Sequence, residues 1–392
     1  MKILYYSPHP NLNLQDPTGY GTHMREMINA FRLLGHEVIP LIAGGTEKKG
    51  KKSKSNLFSL LKNNFKRSIP SIIWESFRDY SLLLFDRGLR DVLRKVIREI
   101  KPDLIYERGN YLQISGVEMA KELGVKHYLE INAPYVEERI SFSGKSLLKR
   151  RAEIIERKQF LLSDKAFVVS SILKVYFVQK CKIDPQKIYV IPNAIDNHTI
   201  KINSVFEGVI RKKYGLSKQI VIGFVGSFFP YHGVDVLINA FSKIVSRYND
   251  IHLLIIGDGE ILDLLKKNAQ DLGVENKITF TGNVDHADIY NYINIMDIAV
   301  MAKSNWYGSP VKIFEYGALG KAIIAPNVVP LRDVMVNKVD GILVNSTVYE
   351  LERAIKTLIY DVELREKIGR TFQKKVLHEH NWEYMAKKIL TQ

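Results

Sequence analysis

Short apolar runs alternate with longer segments of helical periodicity along most of the chain. The run Ile3–Tyr6 is followed by Tyr20–Leu34, where Met24, Met27 and Phe31 recur at the three- and four-residue spacing of a helix face. The same alternation predicts further strands at Val38–Ala43, Leu104–Tyr106, His127–Ile131, Ala166–Val169 and Ile188–Ile191. Strands separated by helices predict right-handed crossovers and a mostly parallel sheet.

A second series with the same rhythm begins near Gln219. It predicts strands at Ile220–Val225, His252–Ile256, Ile278–Phe280, Ile298–Met301 and Ala322–Ala325. The helices between them are predicted at Val234–Ser246, Ile261–Leu272, Asp288–Ile295 and Val311–Leu319. The pattern predicts an α/β protein of two Rossmann-like domains, 1–195 and 196–381, with the loops at the carboxyl ends of both sheets facing a central cleft.

Composition places the chain among globular proteins of a reducing compartment. It has 392 residues, 46% of them apolar, and its one cysteine, Cys181, has no partner for an internal disulfide. The start MKILYYSPHP lacks the apolar core of a signal peptide, and no apolar run approaches the about 20 residues of a membrane span. We therefore expect a cytoplasmic protein, either soluble or peripheral at the inner face of the membrane.

The charge balance favours acidic partners. Fifty-seven Lys and Arg against 42 Asp and Glu give a net charge of +15. Nucleic acid, anionic lipid and phosphorylated ligands all remain candidates at this point. Part of the charge lies in Gly45–Arg67, which carries eight basic residues and runs into an apolar and aromatic stretch. This segment is either a solvated loop or an element that docks on anionic membrane or acceptor.

Two glycine-containing segments are candidate phosphate sites. Gly19 and Gly21 precede the first long helix, where backbone N–H groups can approach an anion, although an ordinary turn has the same sequence. In Ser304–Gly320, a loop of small residues enters a helix at about Pro310, with Ser309 as a candidate N-cap. Glu315, one turn inside, could accept both hydroxyls of a ribose or simply be solvated.

Three further loops follow strands of the second domain. They are Gly226–Gly233, Gly257–Gly259 and Thr281–Val284. Each is unremarkable alone, but all three fall at strand carboxyl ends, where a nucleotide binds in open α/β sheets.

This ordered set resembles the retaining, nucleotide-sugar-dependent glycosyltransferases of the GT-B fold, family 4. The similarity covers nearly the whole chain, and its strongest segments are YVIPNAID at 189–196, GFVGSFFPYHGVDVLINA at 223–240, LIIGDG at 254–259, FTGNV at 280–284 and SPVKIFEYGA at 309–318. The ending NWEYMAKKI resembles the terminal helix of this fold, so a helix over 382–392 is expected to pack back on the N-terminal domain.

The resemblance implies roles for individual residues. Glu315 matches the second glutamate of the family's E-x7-E motif and would bind the donor ribose. Gly19 and Gly21 would approach the donor β-phosphate. The remaining implied donor contacts are the diphosphate and sugar at Ser309, Pro310 and Val311, and the base at Gly282, Asn283 and Val284. The family transfers the sugar by front-side displacement, with positioning and charge stabilisation supplied by the protein.

The chain departs from the family pattern at its charged positions. Tyr307 stands where the first E-x7-E glutamate belongs, and Ser227 and His232 replace the Arg and Lys that neutralise the diphosphate. Lys312 is a candidate substitute for those cations or a surface lysine. The N-terminal catalytic histidine falls within Glu130–Asn132, so Asn132 or Glu130 would occupy its place.

The sequence therefore predicts a retaining glycosyltransferase that moves a sugar from a nucleoside-diphosphate sugar to a hydroxyl, in cell-surface polysaccharide or glycoconjugate synthesis. The acceptor is a glycan, a lipid-linked compound or a small molecule. No D-x-D sequence occurs, so we expect no metal site, and no cofactor beyond the nucleotide-sugar co-substrate. The alternatives are a nucleotide-sugar isomerase or hydrolase of the same fold and, on charge alone, a nucleic-acid-binding protein.

Overall fold

The computed structural model describes residues 1–16, 19–47, 70–216, 218–285 and 287–392. These residues form two compact units. The first comprises Met1–Ile191 with Ala386–Gln392, and the second comprises Pro192–Met385. Most of the basic stretch Gly45–Arg67 lies outside the described residues, so its docking role stays a prediction.

The first unit contains a six-stranded parallel sheet in the order β2-β1-β3-β4-β5-β6. Its strands are β1 Lys2–Ser7, β2 Glu37–Ile42, β3 Leu104–Arg108, β4 Lys126–Ile131, β5 Lys165–Val168 and β6 Ile188–Val190. Its helices are α1 Gly19–Leu33, α2 Ser71–Ile100, α3 Ser115–Leu123, α4 Tyr135–Ser143, α5 Lys149–Leu162 and α6 Ser171–Cys181. Helices cover both faces of the sheet, so β1 and β3 are almost entirely buried. This burial explains why the strands coincide with continuous apolar runs.

The second unit repeats this architecture with the order β12-β11-β10-β7-β8-β9, again parallel throughout. Its strands are β7 Ile220–Val225, β8 Ile251–Ile256, β9 Ile278–Phe280, β10 Ile298–Val300, β11 Ala322–Pro326 and β12 Ile342–Val344. Its helices are α7 Ser204–Lys213, α8 Val234–Val245, α9 Leu262–Asp271, α10 Ile289–Asn294, α11 Val311–Ala318, α12 Val329–Arg332, α13 Val348–Tyr360 and α14 Val362–Glu379. The last helix, α15, spans Trp382–Leu390.

The two sheets confirm the predicted α/β class and the tandem Rossmann-like pattern. Every predicted strand is present, with its ends shifted by at most two residues. The pattern missed β12, because a three-residue strand is too short for its periodicity to be recognised. No helix in the described ranges is long and apolar enough to cross a membrane.

Strand order fixes where ligands can bind. In each sheet the chain first moves to one side and then returns to build the other, so the order reverses between β1 and β3 and between β7 and β10. Open α/β sheets bind ligands at this reversal, beside the strand carboxyl ends. The loops after β1 and β3, and those after β7 and β10, are therefore the expected ligand-binding loops.

Candidate nucleotide-sugar site

The loops after β7, β8 and β9 are held together by backbone hydrogen bonds. The Gly226 amide donates to Ile256 O at 3.0 Å, and the Gly257 amide donates to Gly282 O at 3.1 Å. Gly257 has a φ of +129°, and a Cβ there would lie 2.1 Å from the Gly226 oxygen. Glycine is required because only a residue without a side chain allows this close approach. The three loops therefore form one rigid surface beside β7.

Helix α11 begins directly after Pro310, as predicted, but the prediction that Ser309 caps it is wrong. Pro310 occupies the N-cap position, and no side chain caps the helix. The Ser309 hydroxyl instead accepts a hydrogen bond from the Asn193 amide at 3.0 Å. The Asn193 side chain also donates to Ser309 O at 2.5 Å. The hydroxyl thus ties the loop to the segment that follows β6, and the helix N-terminus is left for another partner.

Lys312 is a buried cation at this site. Its Nζ lies 4.3 Å from the centre of the Phe224 ring, and a Cβ on Gly226 would be 2.5 Å from the same nitrogen. This Nζ is shielded from solvent and has no hydrogen-bond partner among the described residues. Burial lowers the pKa of Lys312 to about 8, against the opposing influence of Glu315. An ammonium in this position is stabilised when an anion binds next to it.

Glu315 lies one turn further along α11. Burial raises its pKa to about 7, and the charge of Lys312 opposes the rise. The Glu315 side chain is half-buried, so its carboxyl group is partly shielded from water and could accept hydroxyl donors from a ligand. The structure therefore brings the predicted ribose-binding carboxylate and the candidate diphosphate cation onto one helix turn.

His232 carries no charge at neutral pH in the free protein. Its Nδ1–H donates to the carbonyl of Ser227 at 2.5 Å, which fixes the neutral tautomer, because a carbonyl can only accept. Burial, with a contribution from the charge of Lys312, lowers the pKa of His232 to about 4. His232 is consequently neutral at pH 7. Lys312 places an ammonium beside Gly226 in the same loop, and its role as the diphosphate cation stays a prediction.

The remaining predicted residues of the second unit are Tyr307, a catalytic candidate, and the base-contacting candidates Gly282, Asn283 and Val284. Tyr307 is buried and packs edge-to-face against Trp306, with ring centres 5.3 Å apart. Gly282 has a φ of +71°, the Asn283 side chain donates to Asp258 at 3.4 Å, and Val284 packs partly buried against the core. All lie in the second unit, but a role for each toward a ligand remains a prediction.

The predicted N-terminal catalytic residues lie in a polar cluster at the end of β4. Glu130 Oε1 accepts from Arg108 at 2.7 Å and from Asn132 at 2.5 Å, and it lies 2.9 Å from His23 Nε2. Glu130 Oε2 accepts from the Tyr106 hydroxyl at 2.7 Å. Burial raises the pKa of Glu130, but His23 and Arg108 outweigh it and hold the pKa well below the usual range.

The two N-terminal catalytic candidates, Glu130 and Asn132, differ in how accessible they are to a ligand. Glu130 is 4% exposed and its carboxylate is occupied by internal donors, whereas Asn132 is partly exposed. The sequence reasoning missed His23 and Arg108, because His23 sits on a helix and Arg108 at a strand end with no motif around them. His23 and Arg108 can be recognised only from the fold, which buries both side chains against Glu130.

Gly19 and Gly21 form the first turn of α1. A Cβ on Gly21 would lie 2.1 Å from the Asp16 oxygen, whereas a Cβ on Gly19 would meet nothing within 4 Å. Arg25 fixes the preceding loop by donating to Leu14 O at 2.6 Å and to Asp16 O at 2.8 Å. Gly21 is thus needed for local packing, and the predicted phosphate contact of both glycines is a separate question that stays open to test.

Metal ligation has no visible support in the described ranges. No group of three or more His, Cys, Asp or Glu side chains there is arranged to hold an ion.

Two family models match the chain in tandem. Glycosyltransferase Family 4 covers residues 17–198, and Glycosyl transferases group 1 covers residues 207–375, so together they account for most of the sequence.

Among curated proteins, a GDP-mannose-dependent alpha-(1-6)-phosphatidylinositol monomannoside mannosyltransferase of Mycobacterium tuberculosis is 24% identical over 206 residues, 51% of this chain and 54% of that protein. A UDP-Gal:alpha-D-GlcNAc-diphosphoundecaprenol alpha-1,3-galactosyltransferase of Escherichia coli is 25% identical over 257 residues, 64% of this chain and 65% of that protein. The matched part of the chain thus spans between half and two thirds of these relatives.

Solved structures share the fold over the whole chain. A glycosyltransferase from Rickettsia africae has a TM-score of 0.73 at 19% identity, with 100% of this chain and 97% of that chain covered. HepE of Anabaena, solved in complex with UDP, has a TM-score of 0.73 at 16% identity, with 100% and 99% covered. With its two parallel six-stranded sheets and both family models in order, the chain belongs to the GT-B glycosyltransferases of family 4, whose C-terminal part is the group 1 domain.

Proposed function

We propose that this protein transfers a sugar from a nucleoside-diphosphate sugar to an acceptor hydroxyl, with retention at the anomeric carbon. The observation that carries the proposal is the pair Lys312 and Glu315 beside the β7–β10 reversal, a desolvated cation and a carboxyl group at the spacing of one helix turn. Family membership supports it, as do the UDP and UDP-glucose bound by HepE. The curated relatives use GDP-mannose or UDP-galactose, so the base and the sugar stay open.

In this proposal the diphosphate binds between the Gly226 loop and the start of α11. Lys312 and the uncapped helix N-terminus meet its charge, Glu315 accepts the ribose hydroxyls, and Gly282–Val284 borders the base. The bond from the anomeric carbon to the β-phosphate oxygen breaks while the acceptor oxygen bonds to the same face of that carbon. The departing phosphate oxygen takes the acceptor proton. The scheme includes no metal and no further cofactor, since protein groups offset the developing charge.

The test is nucleotide-dependent thermal stabilisation. The full chain is melted with UDP, GDP, ADP and CMP and with their sugar conjugates, for the wild type and for Glu315→Ala. Ligand at about 100 times its dissociation constant adds about 2.7 kcal/mol of stability to the wild type. Glu366→Ala, which removes an exposed carboxylate that pairs with Arg370 on α14, is the matched control. We expect Glu366→Ala to match the wild type and Glu315→Ala to lose at least about tenfold in affinity.

Either of two results would contradict the proposal. No shift with any nucleotide would remove the donor site, and an unchanged affinity in Glu315→Ala would remove the ribose contact. Tyr307, which stands in place of a glutamate, favours one alternative, a nucleotide-sugar isomerase or hydrolase of the same fold. That enzyme would turn over the donor without any acceptor, which product analysis separates from transfer.

We also propose that the protein works in the cytoplasm at the inner face of the membrane and contributes to cell-surface glycan synthesis. The support is the net charge of +15, since each Lys or Arg near an anionic surface adds about 1 kcal/mol of attraction. Co-sedimentation with anionic vesicles at low salt, and release at high salt, is the expected outcome. Protein that stays in the supernatant would refute the membrane part alone.

A further inference from the structure

The first half of α2 is amphipathic, but it buries acidic side chains and exposes apolar ones. Its acidic residues Glu75, Asp79 and Asp86 are buried. Its outer side instead carries apolar residues at helical spacing, with 48 to 64% of each exposed: Ile73, Phe77, Tyr80 and Leu84. Leaving an apolar side chain in water forgoes the stabilisation that burial would give, so four on one face indicate a surface that something covers.

The buried acids hold this orientation in place. Arg139, on α4, donates to Glu75 at 2.7 Å and to Asp79 at 2.9 Å. The Tyr111 hydroxyl donates to Asp79 at 2.8 Å, and backbone amides after β3 donate to Asp86. Turning the apolar face inward would break these buried pairs, which is strongly destabilising. The outward apolar face is therefore a fixed part of the fold.

Between α2 and α4 lies a groove of about 990 Å³. Its floor is formed by Asp79, Tyr111 and Arg139, and its apolar walls are Trp74, Phe77, Phe85 and Phe142. One Nη of Arg139 has no hydrogen-bond partner within the described part of the chain. The groove is thus apolar along its sides and keeps a guanidinium at its base.

One end of the groove reaches the ligand-binding edge of the first sheet. His9, Pro10 and Asn11 follow β1, and Asn110 follows β3, so the groove begins at the β1–β3 reversal. Burial lowers the pKa of His9 to about 4, which makes it a neutral hydrogen-bonding group at pH 7. This end suits a sugar hydroxyl.

A basic segment lies next to the groove. Within the groove Arg78, whose side chain is 54% exposed, pairs with Glu75 at 2.8 Å, and Glu138 also contributes to the lining. The segment after α4 is fixed beside α2, because the Leu147 amide donates to Ser76 Oγ at 2.9 Å. This segment brings exposed cations at Lys145, Lys149, Arg150 and Arg151. Apolar walls beside a segment of exposed cations are complementary to a hydrocarbon chain attached to a phosphate.

We propose that this groove is the acceptor site and that the acceptor is an anionic amphiphile. Its hydrocarbon chain lies along Phe77, Phe85 and Phe142, its phosphate meets Arg78 and the basic segment, and its hydroxyl-bearing end points to the loops after β1 and β3. The proposal rests on the proposed function, because it assigns the acceptor of that reaction. An acceptor without an apolar part would leave the aromatic walls uncovered, including Phe77, which belongs to both the groove and the outer face of α2.

The test measures binding of monomeric dodecyl phosphate to the full chain by calorimetry, below its micellar concentration. We expect saturable binding that Phe77→Ser/Phe142→Ser weakens by at least about tenfold, since each ring leaves water on binding. Both rings are more than 60% exposed, so the fold should survive. Leu264→Ser, also 66% exposed but on α9 of the second unit, is the matched control and should bind as the wild type does. Arg78→Gln should weaken binding and reduce its dependence on salt.

Several outcomes would overturn the inference. These are the absence of saturable binding, equal binding by the wild type and the phenylalanine variant, and equal affinity for inorganic phosphate. Sedimentation with anionic vesicles without binding of the monomer would assign the apolar face to a membrane surface instead. UDP stabilisation is measured on the same samples. If it persists while dodecyl phosphate fails to bind, the acceptor inference falls and the proposed function stands; loss of both would contradict both.

Discussion

Replacing Lys312 with methionine removes the charge at the proposed diphosphate position while nearly keeping the length of the side chain. In the free protein Nζ has an aromatic ring 4.3 Å away and no hydrogen-bond partner within the described residues, so no internal ion pair is broken. A charge-assisted hydrogen bond to a phosphate oxygen contributes about 1.5–3 kcal/mol. Lys312→Met should therefore weaken binding of a nucleoside diphosphate by about 10- to 150-fold.

The pH dependence of binding gives a second signature. The free protein holds the pKa of Lys312 at about 8, so above that pH the lysine must take up a proton when the anion binds. Wild-type affinity should fall as the pH rises through 8 and 9, by up to about tenfold per unit. Lys312→Met should lack this fall. Glu315→Gln, which removes the neighbouring group with a pKa near 7, should retain it.

The stability of the ligand-free wild type should rise with pH, whereas its nucleotide affinity falls. A lysine whose pKa is lowered by folding destabilises the folded state fully below the folded pKa, and this cost disappears as the pH rises toward the unfolded value. Without ligand, Lys312→Met should thus melt higher than the wild type at pH 7, with the gap closing by pH 10. Calorimetric titration with UDP or GDP, paired with melting curves, measures both effects. Unchanged nucleotide affinity in Lys312→Met, or a wild-type affinity that does not fall above pH 8, would refute the assignment.

Two substitutions test the packing around the sites by urea unfolding. Gly257→Ala should destabilise the second unit by about 1–3 kcal/mol or more, because its Cβ would meet the Gly226 oxygen at 2.1 Å in addition to the strain of positive φ. Gly273→Ala, which has positive φ but open space around it, should show the strain alone, and equal losses would refute the contact argument. Glu130→Gln should cost about 3–5 kcal/mol at pH 7 by leaving Arg108 without its buried counter-charge. That cost should shrink in acid, because the stability contributed by a lowered carboxyl pKa is complete above the unfolded pKa and is lost as the pH falls from there toward the folded pKa. A pH-independent cost would point to packing.

The sequence predicted what periodicity and backbone chemistry encode. Strands such as Ile220–Val225 are almost continuously apolar, so burial on both faces was expected and is observed. The start of α11 at Pro310 followed from the fixed φ of proline. The sequence could not predict hydrogen bonds between residues that are distant along the chain. Ser309 resembles a helix cap locally, yet its hydroxyl bonds to Asn193.

The inverted face of α2 was hidden for the same reason. A helix with acids on one side and apolar residues on the other normally buries the apolar side. Here Arg139 and Tyr111 reverse the outcome, because they reach the helix from elements that begin after residue 108 and fix the acids inside. Amphipathicity defined the two faces, and only the positions of the counter-charges decided which one faces solvent.

In the proposed site, a cation on the helix in place of one on the loop would let a protein without the family's loop charges hold a diphosphate. Ser227 is exposed beside Gly226, and the Lys312 ammonium approaches that same glycine from α11. If charge at this place is what matters, then Ser227→Arg added to Lys312→Met should recover a large part of the lost nucleotide affinity, and the fall above pH 8 should stay absent because arginine does not titrate there. The matched control adds Ser242→Arg, on α8, to the same background and should recover nothing beyond general electrostatic attraction. Recovery by both arginines alike would mean that net charge alone governs binding, whereas recovery by neither would mean that Lys312 acts through its packing against Phe224. Selective recovery by Ser227→Arg would show that the diphosphate binds between the loop and the helix, with its neutralising charge supplied from either side.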